Sequence, residues 1–314
     1  MAPQPPPEPE SGRFHVDGQA LTAARPEPGL YLVATPIGNL EDITLRALKV
    51  LAAADRIACE DTRVTRKLLA RYGIRTQLTA YHEHNAAREA PKLARRIAEG
   101  ARIALVSDAG TPLISDPGYR LVRATLEEGG KVVPVPGPAA PVAALAGSGL
   151  PTDAFHFAGF LPVKKTQRDR RIEDLGRIDA TLVLFESPRR LVATLRAIGE
   201  LLGEDRDCVV ARELTKAFET FHRGTAASLA EAFEAEPPRG EIVLLVAPPQ
   251  AAEAASDDVV KRRLIEALAE MPPSKAAARI AKDTGRDKSE VYRLAMELKA
   301  SGDEDADEDR DGGG

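Results

Sequence analysis

The sequence predicts an α/β protein made of two successive α/β domains, followed by a small C-terminal helical segment. Three observations carry this. From Gly29 onward, short β-branched or aliphatic runs alternate with amphipathic stretches, the pattern of a largely parallel sheet covered by helices. The run GSGLPTD at residues 147–153 interrupts that alternation, and a second set of strand-like runs follows. After Pro248 and Pro249 the chain becomes Ala-rich and acidic and then offers only helices.

Taken in order, LYLVA at 30–34, RIAC at 56–59, RIALVS at 102–107 and KVVPV at 131–135 read as the strands of the first domain. Helices are expected between them, at 44–53, at 65–72 closed by Gly73, and at 86–98 closed by Gly100. In the second domain the strands are TLVLFE at 181–186, DCVVARE at 207–213, FETFHRG at 218–224 and EIVLLVA at 241–247. Only a short connection separates the middle pair, which predicts an antiparallel hairpin within a mixed sheet. Helices follow at 258–270, 275–284 and 289–300, and the pair around Gly285 has helix-turn-helix proportions, a pattern many helical hairpins share. The expected division is therefore an N-terminal extension (1–28), two α/β domains (29–148 and 149–249), a helical appendage (250–300) and an acidic tail (301–314).

At 314 residues the chain can bury two substantial cores. No apolar stretch approaches a membrane span, and MAPQPPPEPE lacks the basic and apolar regions of a signal peptide, so a cytoplasmic location is expected. The net charge of −5 is unevenly spread: residues 301–314 hold seven acids and one Arg, and residues 1–28 hold four acids and two Arg. The part between them is therefore mildly basic, which leaves RNA open as a partner, and both acidic ends are expected to stay solvated and disordered. Cys59 and Cys208 sit in apolar strand-like runs without metal-ligand spacing and read as reduced core residues.

Three strand-to-helix loops stand out: TPIGNLED at 35–42, SDAGTPLISDPG at 107–118 and PGPAAPVAAL at 136–145. In a parallel sheet all three lie at the carboxyl edge, where such folds bind ligands. Gly38, Ala109, Gly110, Ala139 and Ala140 would let backbone approach a ligand closely. The middle loop has no Lys or Arg before Arg120, which favours a neutral or zwitterionic group over a phosphate.

Familiar nucleotide motifs fail residue by residue. No G-x-G-x-x-G follows the first strand, and in GFLPVKKT (159–166) Lys164 stands where a P-loop needs its second Gly. His82 and His84 lack a third ligand nearby, and His156 and His222, flanked by aromatics, read as strand residues. Glu60 and Asp61 end the second strand, where an acid can meet a ribose hydroxyl, face a substrate or pair with Arg63. Basic residues gather in the second half, at Lys164, Lys165, Arg168, Arg170, Arg171, Arg189, Arg190, Arg212 and Lys216. Such a set can neutralise phosphates or form solvated helix faces. Arg212, Glu213 and Lys216 cluster at a strand end beside the expected inter-domain cleft, a place suited to acid–base work.

Assembled in order, TPIGNLEDITLRAL, EDTRVTRKLL, HEHN, ALVSDAGTPLISDPG, PGPAA, GFLP, FESPRRL, RELTKAFE and RGEIVLLV closely resemble the tetrapyrrole methylase superfamily, in particular its members that act on ribosomal RNA. The resemblance runs from Tyr31 to Val246, through both expected domains. It implies two domains of tetrapyrrole methylase type forming a homodimer, with S-adenosylmethionine as methyl donor in the inter-domain cleft and no metal. It further implies the ribose 2′-hydroxyl of a cytidine in the decoding region of 16S rRNA, in the small ribosomal subunit, as acceptor. Carried onto matching positions, the donor would meet Pro36, Ile37, Gly38, Asp108, Ala109, Gly110, Ile114 and Ala139 from the first domain. Phe185, Gly240 and Ile242 would complete its pocket from the second. Ala139 departs from the small hydroxyl residue many relatives carry there, so one side-chain hydrogen bond is in question.

Methyl transfer of this kind is a direct displacement at the sulfonium methyl carbon, in which alignment supplies most of the acceleration and a base takes the hydroxyl proton. Glu213 and Glu60 are the candidate bases, and Lys216 or Arg212 would hold phosphate or orient the acid. Lys164, Lys165, Arg168, Arg189 and Arg212 are the expected RNA contacts. Two rivals share these features: a methylase of a tetrapyrrole or other small molecule, and a non-catalytic RNA-binding protein using the C-terminal helical pair.

Overall fold

The computed structural model describes residues 12–249 and 257–311. Two strands precede the first one expected. β1 (Arg13–Val16) and β2 (Gln19–Thr22) pair antiparallel across Asp17 and Gly18, both left-handed at φ 49° and 79°, as a type I′ hairpin turn demands. Phe14 is fully buried in one apolar cluster with Ala47, Leu51, Leu69 and Tyr72. Backbone bonds from Gly12 N–H to Ala52 O (2.9 Å) and His15 N–H to Tyr72 O (2.8 Å) anchor the hairpin. This corrects the expectation of a disordered extension for residues 12–28: burying one aromatic ring offsets the ordering of a short hairpin whose turn is already preset. Residues 1–11 lie outside the described part.

The first sheet follows the expected alternation. β3 (Gly29–Val33), α1 (Leu45–Ala53), β4 (Arg56–Cys59), α2 (Thr62–Arg71), β5 (Leu78–Ala80), α3 (Glu83–Ala98), β6 (Arg102–Val106), α4 (Tyr119–Glu127), β7 (Val132–Val135) and α5 (Ala140–Ser148) succeed one another. Every strand pairing is parallel, in the order β5-β4-β6-β3-β7. Central strands such as β4 and β6 are buried on both faces, which is why they read as unbroken apolar runs. Short crossovers keep their helices in register through caps: Thr44 Oγ1 accepts the Ala47 N–H at 3.1 Å, and Asp61 Oδ1 accepts the Arg63 N–H at 2.8 Å. Strands β6, β3 and β7 are neighbours, so the three unusual loops, which follow these strands, gather along one stretch of the carboxyl edge.

The second sheet is mixed, as expected. β8 (Phe155–Phe160) leads to α6 (Lys165–Gly176), β9 (Thr181–Glu186), α7 (Pro188–Leu202), β10 (Asp207–Arg212), β11 (Thr220–Thr225), α8 (Ala226–Ala235) and β12 (Ile242–Val246). The strand order is β11-β10-β12-β9-β8, with only β8 and β9 parallel. One face packs on α6, α7 and α8 around Leu184, Leu191, Leu195 and Leu244. The other receives α5: Ala144 and Leu145 join Ile37, Val183, Val209, Ala211, Leu214, Val243 and Leu245 in a single apolar cluster. Arg223 fastens the same junction, donating from Nε to Ser148 O at 2.9 Å and from Nη2 to Gly147 O at 2.6 Å.

Both sheets belong to one compact unit that ends at Pro248, and a second begins at Pro249. Among its described residues the second unit has three helices, α9 (Asp257–Glu270), α10 (Pro273–Thr284) and α11 (Lys288–Asp311), around Val260, Leu264, Ile280 and Val291. Helix α11 runs on to Asp311, into the acidic segment that begins at residue 301. Once packing of Val291 and Ala295 has nucleated the helix, each further residue adds a hydrogen bond without a new nucleation cost. Residues 250–256 and 312–314 lie outside the described part. Among the described residues no helix is long and apolar enough to cross a membrane.

Candidate active site

The three loops are stitched together by their own backbone. Thr35 and Gly110 form an isolated antiparallel bridge, N–H to O at 2.9 Å one way and 3.0 Å the other. Ser107 Oγ lies 3.2 Å from both Ala109 O and Gly110 O, and Thr111 Oγ1 donates to Pro138 O at 3.0 Å. Gly110 has φ +83°, and Leu113 and Ser115 are left-handed at 73° and 66°. Two such non-glycine residues in one loop persist only where the surroundings over-determine them, a condition typical of ligand clamps.

Between this edge and the second sheet lies a cavity of about 460 Å³, within the range of small-molecule sites. Nine of the eleven expected donor residues line it: Ile37, Asp108, Ala109, Gly110, Ile114, Ala139, Phe185, Gly240 and Ile242. Pro36 and Gly38 do not. A Cβ on Gly38 would lie 2.6 Å from Lys216 Cγ and 2.8 Å from Leu214 O and Thr215 Oγ1. The loop after β10, and not a ligand, therefore makes glycine necessary there. Among the described residues no Lys or Arg lines the cavity, whereas Asp108, Asp116, Glu186 and Glu241 all do. The site is thus built for a ligand that is neutral or cationic on that side.

The rim from the second half is an ionic clamp. Glu213 (φ 52°) takes the Glu241 N–H and the Lys216 Nζ on its Oε1, both at 2.9 Å, and Lys216 also reaches Glu241 Oε2 at 2.9 Å. Gly240, at φ +87°, has no room for a side chain because a Cβ would fall on the Glu213 carboxylate. The backbone N–H of Glu241 and then the Lys216 ammonium hold the Glu213 carboxyl below its ordinary value. Burial opposes the charge on Lys216, but its hydrogen bonds to Glu241 and Glu213 together outweigh this and raise its pKa. The clamp contributes fully between the ordinary carboxylate and ammonium values. It is lost as pH falls through the depressed Glu213 pKa, or rises through the elevated Lys216 pKa.

The expected catalytic trio is thus divided. Glu213 and Lys216 brace the rim, and Glu60, at the end of β4, does not line the cavity. Burial first, and the Asp108 charge second, push the Glu60 carboxyl up. Two further acids, Asp116 and Glu186, do line it. Burial pushes Asp116 up to about 6, the neighbouring Glu60 and Asp108 charges adding to the shift and the Ser107 hydroxyl opposing it. Glu186 is buried, accepting from the Ser187 N–H at 2.8 Å and the Thr194 hydroxyl at 2.7 Å. Both stand in motifs already singled out, SDPG and FESP, but a sequence gives no depth by which to tell a lining acid from a solvated one.

None of the five expected RNA contacts lines the cavity. Lys164 and Lys165 are exposed at the start of α6, and Lys165 and Arg168 pair with Asp169 at 2.6 and 3.1 Å. Arg189 is exposed one residue beyond the lining Pro188. Arg212 donates from Nε to Thr220 Oγ1 at 3.2 Å and opens onto a separate cavity that Arg239 also lines. Cys59 and Cys208 are buried and free, and burial pushes Cys208 up to about 12. His82 and His84 stack edge to face, and among the described residues no group of three His, Cys, Asp or Glu is placed to hold a metal ion.

Comparison with known proteins fits this geometry to a family. Residues 29–230 match the family described as Tetrapyrrole (Corrin/Porphyrin) Methylases, and residues 253–299 match the RsmI C-terminal HTH domain. A Mesorhizobium japonicum protein called "Ribosomal RNA small subunit methyltransferase I" is 58% identical over 286 residues, covering 90% of this chain and 96% of that protein. The chain belongs to the ribosomal RNA small subunit methyltransferase I family of tetrapyrrole methylases. An Escherichia coli O157:H7 methyltransferase I is 46% identical, covering 89% of this chain and 98% of that protein. Among solved structures, the methylase fold recurs in a cobalamin biosynthetic enzyme, cobalt precorrin-4 methyltransferase (TM-score 0.54, 21% identity, 69% of this chain and 94% of that one). It recurs also in diphthine synthase (TM-score 0.56, 15% identity, 70% and 89%). At such identities these two speak for the methylase fold alone.

Proposed function

We propose that this chain transfers the methyl group of S-adenosylmethionine to the ribose 2′-hydroxyl of a cytidine in 16S rRNA of the small ribosomal subunit, acting as a cytoplasmic homodimer. The observation that carries this reading is the 58% identity, over nearly the full length of both proteins, to a relative called a ribosomal RNA small subunit methyltransferase. The cavity agrees with the donor. Backbone-rich loops suit its zwitterionic end, Phe185 offers an apolar face, and the acidic wall suits a sulfonium cation. Bound there, the donor supplies an already activated methyl group. The protein's residues then have to align it with the acceptor and exclude water, work for which a cavity between two rigid sheets is suited. The exposed Lys164, Lys165 and Arg189 would attract the RNA backbone in a salt-dependent way.

The test is label transfer from methyl-tritiated donor to small ribosomal subunits lacking the modification. The expected product is label in a dinucleotide that resists alkali, because a 2′-O-methyl removes the hydroxyl that alkaline cleavage needs. Label found only on a porphyrinoid, or none with any acceptor, would reject the assignment. The clamp gives a further expectation: Lys216→Met frees the Gly240–Ile242 edge and raises the donor KM roughly tenfold, about 1.4 kcal/mol of binding, with kcat less affected. Initial rates at varied donor concentration check this, and an unchanged KM would remove the clamp from donor binding.

A further inference from the structure

We propose that Asp116 is the catalytic base of this methyl transfer, taking the proton of the acceptor hydroxyl. This rests on the reading of the reaction as ribose methylation. Among the described residues four carboxylates line the cavity, and two of them, Glu186 and Glu241, have a basic side chain beside them. Asp108 Oδ1 accepts the Asp61 N–H at 3.0 Å. Glu186 spends both oxygens on Ser187 and Thr194 and has Arg190 Nε at 3.5 Å. Glu241 holds Lys216. Asp116 has the Ser107 hydroxyl beside it, and the single proton of that hydroxyl is contested by the carbonyls of Ala109 and Gly110. Asp116 stands half-buried on the cavity wall.

Its placement is fixed from both sides. Ser115, immediately before it, is left-handed at φ 66° and stands against Gly159 of the second half, where a Cβ would lie 3.2 Å from Ser115 Oγ. Pro117 follows it and restricts the backbone of Asp116 itself. The groups facing it are Glu60 from the end of β4 and Asp108 from its own loop, with Glu186 and Glu241 elsewhere on the cavity wall. Burial and those neighbouring charges place its pKa near 6, where a carboxylate is a far better proton acceptor than at its ordinary value yet remains ionised at neutral pH. The other candidates lack this combination: Glu213 is depressed and clamped, Lys216 is held protonated, and Glu60 is off the cavity wall.

The step balances. The ribose oxygen forms a bond to the methyl carbon as the carbon–sulfur bond breaks. The bonding pair leaves on sulfur as a neutral thioether, and the hydroxyl proton passes to the Asp116 carboxylate, from which solvent removes it.

The experiment compares the full-length wild type, Asp116→Asn and Glu60→Gln on small ribosomal subunits between pH 5 and 9. Calorimetric binding of S-adenosylmethionine and of its thioether product, and thermal midpoints at pH 8, accompany the rates. Asp116→Asn is expected to lose about 10² to 10⁴ in kcat and to lack the acid limb near pH 6 that kcat/KM of the wild type shows. It should bind the donor within about threefold of wild type and melt no lower, because a costly charge has been removed. In Glu60→Gln the acid limb moves to lower pH. Asp116→Asn with kcat within tenfold of wild type, a persisting limb, or a loss confined to sulfonium affinity overturns the assignment, as does a limb that stays in place in Glu60→Gln. A wild type that leaves the ribose unlabelled overturns the functional reading and this role together, and an active wild type isolates the role.

Discussion

Gly110→Val abolishes methyl transfer and calorimetric donor binding while the far-UV dichroism stays that of the wild type. Gly110 lies on the cavity wall at φ +83°, so a β-branched side chain there is strained by roughly 1 to 2 kcal/mol before it touches anything. Its Cβ would lie 3.3 Å from Ile37 Cγ2 and 3.8 Å from Pro138 O, and its two methyls would have to share the cavity with the ligand. The strands behind the loop keep a core of their own: Leu30, Ile103 and Leu105 are buried with Tyr81, Leu93 and Leu121, and Leu113 joins that cluster from the loop only at its margin. The damage is therefore local. Gly110→Ala, with one carbon to place, is expected to retain part of the affinity. Wild-type donor affinity in Gly110→Val would remove the loop from the donor site, and global unfolding would make the glycine a packing requirement.

Phe14→Ala costs about 3 to 5 kcal/mol of folding stability, the range for truncating a fully buried aromatic ring. Urea titration checks this through a lower midpoint at an unchanged slope. The ring is the hairpin's deepest anchor against α1 and Tyr72, so its loss both leaves a cavity and loosens β1 and β2 from the sheet unit. A change below about 1 kcal/mol would mean that the surroundings collapse into the space. Donor binding, in a cavity whose wall includes no residue of the hairpin, is expected to survive at temperatures where the protein remains folded.

The sequence made the periodic parts legible. Buried parallel strands such as RIALV and IVLLV announce themselves as apolar runs, and the three glycine- and proline-bearing loops mark the ends of three adjacent strands. Elements whose signal is weak or masked escaped. The Asp17–Gly18 hairpin signature lay inside a Pro- and Glu-rich stretch, which drew attention to composition instead of to the turn. β5, three residues at a sheet edge, is too short to show a period. β8 is only partly buried and carries glycine and a register irregularity. Charge alone said least about the site: Glu213 and Lys216 are legible as a cluster at a strand end, but not that they pair with each other across the rim. Asp116 is one Asp among many until burial distinguishes it.

Ile37 belongs both to the apolar cluster under α5 and to the wall of the cavity. Prising the two sheets apart would expose Val183, Val209, Val243 and Leu245, each at a cost of about 1.5 to 3 kcal/mol. The cleft therefore behaves as a seam of set width and not as a hinge. Two strained loops border it, the 111–118 turn with its left-handed Leu113 and Ser115 and the clamped turn at 213–216. Specificity for a large folded RNA then has to be read at the rim, because the interior does not widen to meet it.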